Sequence, residues 1–114
     1  MSLTTPPNPD NAILHELVQR VVQLEQPEKV ILFGSRARGN ARPGSDYDLL
    51  VIKDIPSSAR KACRRRIYRS LQGLGIAKDV ILATPEDVRR FGSLIGTILK
   101  PALEEGIVLY ERAA

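Results

Sequence analysis

The sequence predicts a mixed α/β domain with one central sheet flanked by helices. Three observations carry this reading. Four short runs rich in Val, Ile and Leu, at 29–33, 46–53, 78–83 and 107–110, have the length and composition of strands. Between them lie stretches whose apolar residues recur at helical spacing. Gly and Pro stand at most of the junctions, so strand-like and helix-like segments alternate along the 114 residues.

In chain order, residues 1–9 hold three prolines and are expected to form a flexible lead. Asp10 or Asn11 N-caps a first helix, whose apolar stripe runs through Leu14, Leu17, Val18, Val21 and Leu24 until Pro27 ends it. Lys29 to Phe33 is a buried strand. Gly34-Ser35 turns the chain, Arg36 to Asn40 forms one short helical turn, and Pro43-Gly44-Ser45 is a second turn. Asp46 to Lys53 is the next strand. Pro56-Ser57 opens a helix to about Gln72 with Ala59, Cys63, Ile67, Ser70 and Leu71 on one face, and Gly73 and Gly75 stop it. Lys78 to Ala83 is a third strand. Thr84-Pro85-Glu86-Asp87 starts a helix with threonine as N-cap and acids in the first turn. Gly92-Ser93 breaks it, Leu94 to Glu105 resumes with Pro101 bending or restarting it, Gly106 caps, and Ile107 to Tyr110 is the last strand.

This length makes one domain, residues 10–114, with room for a real core but little for enclosing two substrates. No run of about 18 apolar residues exists, which argues against a membrane span. The N-terminus lacks the basic and apolar regions of a secretory signal, so the expected location is cytoplasmic. A single cysteine, Cys63, excludes an internal disulfide and a Cys-based zinc site, and a single histidine, His15, excludes a His-rich metal site. The net charge of +4 favours anionic partners, while only two Phe and three Tyr argue against a stacking platform for single strands.

Two carboxylates enter the second strand. Asp46 and Asp48 are separated by one residue, so on a strand both face one way, roughly 7 Å apart, with Tyr47 and Leu49 on the other face. Acids so placed suit one or two Mg²⁺ ions, which prefer carboxylate, water and phosphate oxygens. Asp79 opens the third strand, and if that strand neighbours the second it completes a cluster of three. Asp79 would then ligate metal and help take a proton from an acceptor hydroxyl. The plain alternative is that these acids only decorate strand entrances.

The turn before them suits an anion. Gly34 lets backbone approach closely, Ser35 adds a hydroxyl donor, and Arg36 and Arg38 bring fixed positive charge toward a triphosphate. Gly34 and Gly39 have the spacing of a Walker A loop, but Asn40-Ala41 stands where Gly-Lys-Ser/Thr would continue, and G-x-G-x-x-G is absent.

Taken together, G-S-x-A-R-G-x-A-x-x-x-S-D-x-D-L-x-V resembles the signature of the polymerase-β-type nucleotidyltransferase superfamily. Gly34, Ser35, Ala37, Arg38, Gly39, Ala41, Ser45, Asp46, Asp48, Leu49 and Val51 carry the match. The short length and the ending GSLIGTILKPALEEGIVLYER look like the minimal nucleotidyltransferases of bacteria and archaea. The resemblance implies that fold, with Gly34 and Ser35, joined by Ser45, holding the nucleotide, Asp46 and Asp48 binding Mg²⁺, and Asp79 as third acid. It also implies ATP or another NTP as substrate. A further implication is an all-helical HEPN partner, silenced as a toxin by transfer of AMP to a hydroxyl.

Two other readings stay open: an antitoxin that neutralises its partner by contact alone, and an RNA-modifying nucleotidyltransferase, for which there is no room for an RNA-binding domain. A partner protein or a homodimer is expected to complete the cleft. Arg60, Lys61, Arg64, Arg65, Arg66 and Arg69 load one helix with charge, either as a solvated face or as a docking surface for an acidic partner or RNA. Cys63 is expected in the core, His15 at the surface, and Tyr47 and Tyr110 in packing roles.

Overall fold

The computed structural model describes residues 2–3, 11–92, 97 and 99–113. A two-residue strand, β1, at Ser2–Leu3 comes first. Helix α1 then spans Asn11–Glu25, β2 Lys29–Phe33, α2 Ser35–Arg38, β3 Tyr47–Ile52, α3 Arg60–Ser70, β4 Lys78–Ala83, α4 Pro85–Phe91, α5 Leu99–Glu105 and β5 Ile107–Glu111. The sheet order is β1-β5-β2-β3-β4, with β3 and β4 parallel and every other pair antiparallel. The expected α/β class with one mixed sheet is what the chain adopts.

The central strands explain their own sequences. Residues 30–33 of β2 are buried throughout, and β3 is buried everywhere except at Asp48. Strands covered on both faces read as continuous apolar runs. One face packs Leu17, Val18 and Val21 of α1, Cys63 and Ile67 of α3 and Leu71 just after it against Val30, Leu49, Val51 and Val80. The opposite face packs Leu99 and Ala102 of α5 against Ile31, Phe33, Leu50 and Ile52. The sheet is therefore the middle layer of three.

Several expectations are revised. Ser2 and Leu3, placed in a flexible lead, pair with Glu111 and Tyr110, because the unpaired edge of β5 offers them backbone partners. Residues 1 and 4–9, the rest of that lead, and Asp10, the candidate cap, lie outside the described residues. Leu24 is 44% exposed, whereas Glu25, absent from the expected stripe, is 4% exposed. At 3.6 residues per turn, position 25 falls under the stripe of Leu14, Val18 and Val21, and position 24 rotates outward. Glu25 is tolerated there because Arg66 donates two hydrogen bonds to it (2.8 and 3.0 Å), Lys53 one (2.9 Å) and the Cys63 thiol one (3.2 Å). These donors, Arg66 foremost, hold its carboxyl down at about 2. Arg66 stays on the exposed face of its helix while its guanidinium reaches Glu25.

The helix expected from Pro56 begins as a 3-10 turn at Ser57–Ala59 and is α-helical only from Arg60. Thr84 caps α4 as expected, in a reciprocal capping box with Asp87. Pro101 sits in the first turn of α5, where its missing N–H costs nothing, so it restarts the helix. Of the helical stretch expected from Leu94, residues 94–96 and 98 lie outside the described residues.

Candidate active site

The site gathers where β2 ends and β3 and β4 begin. Antiparallel register sets Phe33 opposite Asp48, so the chain leaves β2 at Gly34 beside that carboxylate. Gly34 has φ +76° and ψ −159°, a region essentially restricted to glycine. A Cβ there would lie 3.0 Å from Asp48 Cγ and closer still to Oδ2. Glycine is required twice, by its backbone and by the acid packed against it.

Gly34 then caps α2, its carbonyl accepting from the amides of Ala37 and Arg38 (both 3.1 Å). Ser35 occupies the first helical position, where an amide has no acceptor within its own helix and faces outward to any anion. The loop back to β3 is held by its own side chains. Ser45 Oγ accepts from the Arg42 amide (2.9 Å), and its carbonyl accepts from Arg36 Nε (3.1 Å). The Arg36 guanidinium lies 3.9 Å from the centre of the Tyr47 ring. Arg36 and Ser45 therefore brace the loop in this conformation. Arg38 stays half exposed, 3.6 Å from Glu105, and its charge reaches Asp48.

Asp46 lies in the loop just before β3, one residue outside the strand expected to contain it, and is exposed. Asp48 is half-buried, on the sheet face opposite Tyr47 and Leu49 as expected. Parallel register sets Asp79 directly beside Asp48. The adjacency on which the third acid depended is present. Burial first, then the charges of Asp46 and Asp79, push the Asp48 carboxyl above its ordinary range, with Arg38 opposing. Among the described residues, neither Asp46 nor Asp48 has a hydrogen-bonded or ion-paired side-chain partner.

No three His, Cys, Asp or Glu side chains among the described residues converge tightly enough to cage an ion. Asp79 is engaged from α3, its Oδ1 lying 3.4 Å from Tyr68 Oη and 3.8 Å from Arg64 Nη2. The donor set still fits a hard cation: carboxylate oxygens, excess negative charge and space for water or phosphate oxygens. Asp46, Asp48 and Asp79 would hold it.

Sequence reasoning missed Arg64 and Tyr68. Tyr68 Oη accepts from the Val80 amide (2.8 Å), and Arg64 donates to the Val80 carbonyl (2.9 Å) and to Tyr68 Oη (3.1 Å). Together they cap the open edge of β4 beside Asp79. Their four-residue spacing on a helix was the one available signal, and it was hidden among six basic residues.

A three-layer fold that sets paired acids against a glycine turn defines a class, and the comparisons agree with it. Residues 14–109 match the nucleotidyltransferase domain family. The chain belongs to that family. It is 39% identical over 92 residues to a Methanocaldococcus jannaschii protein named "Putative protein adenylyltransferase MJ1305", covering 78% of this chain and 53% of that one. The chain thus spans about half the length of that relative. Its fold also superposes on the crystal structure of a "putative nucleotidyltransferase" from Sulfolobus solfataricus, with a TM-score of 0.60 and 22% identity over 88% of this chain and 79% of the other. No helix among the described residues is long and apolar enough to cross a membrane.

Proposed function

We propose that this protein transfers a nucleoside monophosphate, AMP from ATP, to a hydroxyl of a protein acceptor and releases pyrophosphate. The observation that carries the reading is Asp48, seated on Gly34 and destabilised as an anion first by burial and then by Asp46 and Asp79. Such a carboxylate gains most from a cation. Mg²⁺, when bound, supplies the positive charge that neutralises phosphate oxygens and developing negative charge.

The chain's own groups do the rest. The turn at Gly34 and Ser35 seats the β- and γ-phosphates, and Arg38 adds charge from the rim. The acceptor oxygen bonds to the α-phosphorus as the bond from that phosphorus to the oxygen bridging to the β-phosphate breaks. Pyrophosphate leaves with the electron pair, and the acceptor proton passes to Asp79. The protein acceptor is supported by the M. jannaschii relative's name. The antitoxin role and a helical partner rest on the resemblance in the signature. The open site adds support for a partner or second copy completing the cleft.

The test supplies α-labelled ATP, Mg²⁺ and lysate of the source organism to wild type, Asp46→Asn and Asp48→Asn. Label should move to protein with wild type alone. Label on RNA would replace the acceptor class, and no transfer from any of the four NTPs would sink the enzymatic reading.

A further inference from the structure

The basic face of α3 and the edge of β4 form a groove whose Arg64 stands beside Asp79. One cavity of about 350 Å³ is lined by Arg60, Lys61 and Arg64 above Val80, Ile81 and Leu82. A second, of about 400 Å³, continues along Lys61, Arg64, Arg65 and Tyr68. The two share Lys61 and Arg64.

Charge on this helix is out of balance, at Lys61 and Arg65 within the groove and at Arg69 beyond it. Helix α3 carries no acid. Arg66 is held by Glu25 and Arg60 by Asp87, but Lys61, Arg65 and Arg69 make no ion pair among the described residues. Their spacing, four residues apart, stacks them about 6 Å apart on one helix face. Alternate side chains of an extended peptide repeat at nearly the same distance, about 6.6 Å. The floor is aliphatic, which suits the inward side chains of a peptide. A nucleic acid would want open aromatic faces, and Tyr68 has one face under Arg64 and its hydroxyl bonded to Val80.

We infer that this groove docks an extended acidic segment of the acceptor protein and delivers the neighbouring hydroxyl to Asp79. The inference rests on the protein-acceptor reading above and deepens it. Arg64 joins the two functions, since it lines the groove and stands 3.8 Å from Asp79.

The probe is a fluorescein-labelled peptide of alternating Glu and Val, read by anisotropy at low and physiological ionic strength. Wild type should bind it in a salt-dependent manner, and Lys61→Glu/Arg65→Glu should weaken binding by about tenfold or more. Arg89→Glu/Arg90→Glu, the same change in net charge on α4, should stay within about twofold, because only local charge acts across a screened surface. Equal weakening by both pairs would overturn the groove in favour of bulk charge. Tighter binding of oligouridylate with the same α3 dependence would assign the face to nucleic acid. Loss of self-association in the α3 pair by light scattering would assign it to a second copy. Asp46→Asn should bind the peptide as wild type does while losing transfer, so the two readings can fail separately. Groove binding that persists while wild type transfers nothing from ATP would retain the groove and remove the chemistry. Transfer with no α3-dependent binding would do the reverse.

Discussion

Replacing Gly34 with alanine tests the site and its backbone together. The φ +76°, ψ −159° conformation is one that an L-residue adopts only at a cost on the order of 1–3 kcal/mol. The new Cβ also meets the Asp48 carboxylate, which must leave its rotamer for about 1 kcal/mol more. The sum is about 3 kcal/mol of lost stability. Gly39, at φ +80° and ψ 12° with nothing within 4 Å of where a Cβ would stand, is the natural control. Gly39→Ala bears left-handed strain alone, about 1 kcal/mol. Urea unfolding of both variants, in wild-type and Asp48→Ala backgrounds, separates the two contributions. Removing the Asp48 carboxylate should recover about 1 kcal/mol of the Gly34→Ala cost and none of the Gly39→Ala cost. Nucleotidyl transfer by Gly34→Ala should fall to the level of Asp48→Asn, because the acid is pushed from its seat. Equal costs for the two glycines, unchanged in the Asp48→Ala background, would refute the packing argument.

Two further outcomes follow from the charges. The Glu25 carboxyl is lowered from its ordinary 4.5 to about 2, so the stability it adds is present above pH 4.5 and drains away as pH falls toward 2. The shift corresponds to about 3 kcal/mol, and Glu25→Gln should lose a similar amount at neutral pH and flatten the acid limb of urea midpoints taken across pH. Asp48 has the opposite sign: its folded value is raised, so stability falls as pH rises from its ordinary 3.8 through the raised value. Asp48→Asn should therefore melt above wild type in metal-free buffer at neutral pH. Added Mg²⁺ should raise the melting temperature of wild type and leave the variant nearly unmoved, a contrast that calorimetry reads directly.

How far the residues speak for themselves depends on how local their constraints are. The strand runs at Lys29 to Phe33 and Lys78 to Ala83 were legible because burial on both faces, or a helix laid over an edge, leaves a composition that no other element has. Thr84 with Asp87 declared a helix start because a capping box is built from four consecutive residues. Glu25 was not legible. Its burial depends on Arg66, which lies forty-one positions away, and on Lys53, and nothing in the first helix announces either. Leu24 was misplaced for the same reason, since the last turn of a helix takes its orientation from what packs on it.

The acid pair and the glycine turn were written in the chain itself, because Gly34 and Ser35 are adjacent, Asp46 and Asp48 are one residue apart, and such neighbours stay close whatever the fold. Tertiary structure alone decided that Asp79 stands beside Asp48, that Asp48 rests on Gly34, and that Arg36 and Ser45 hold the loop. It also alone set Arg64 and Tyr68 over the edge of β4. The Arg36–Ser45 brace spans nine residues of one loop, and the others join separate strands and helices that strand order and register, which no local pattern encodes, bring together.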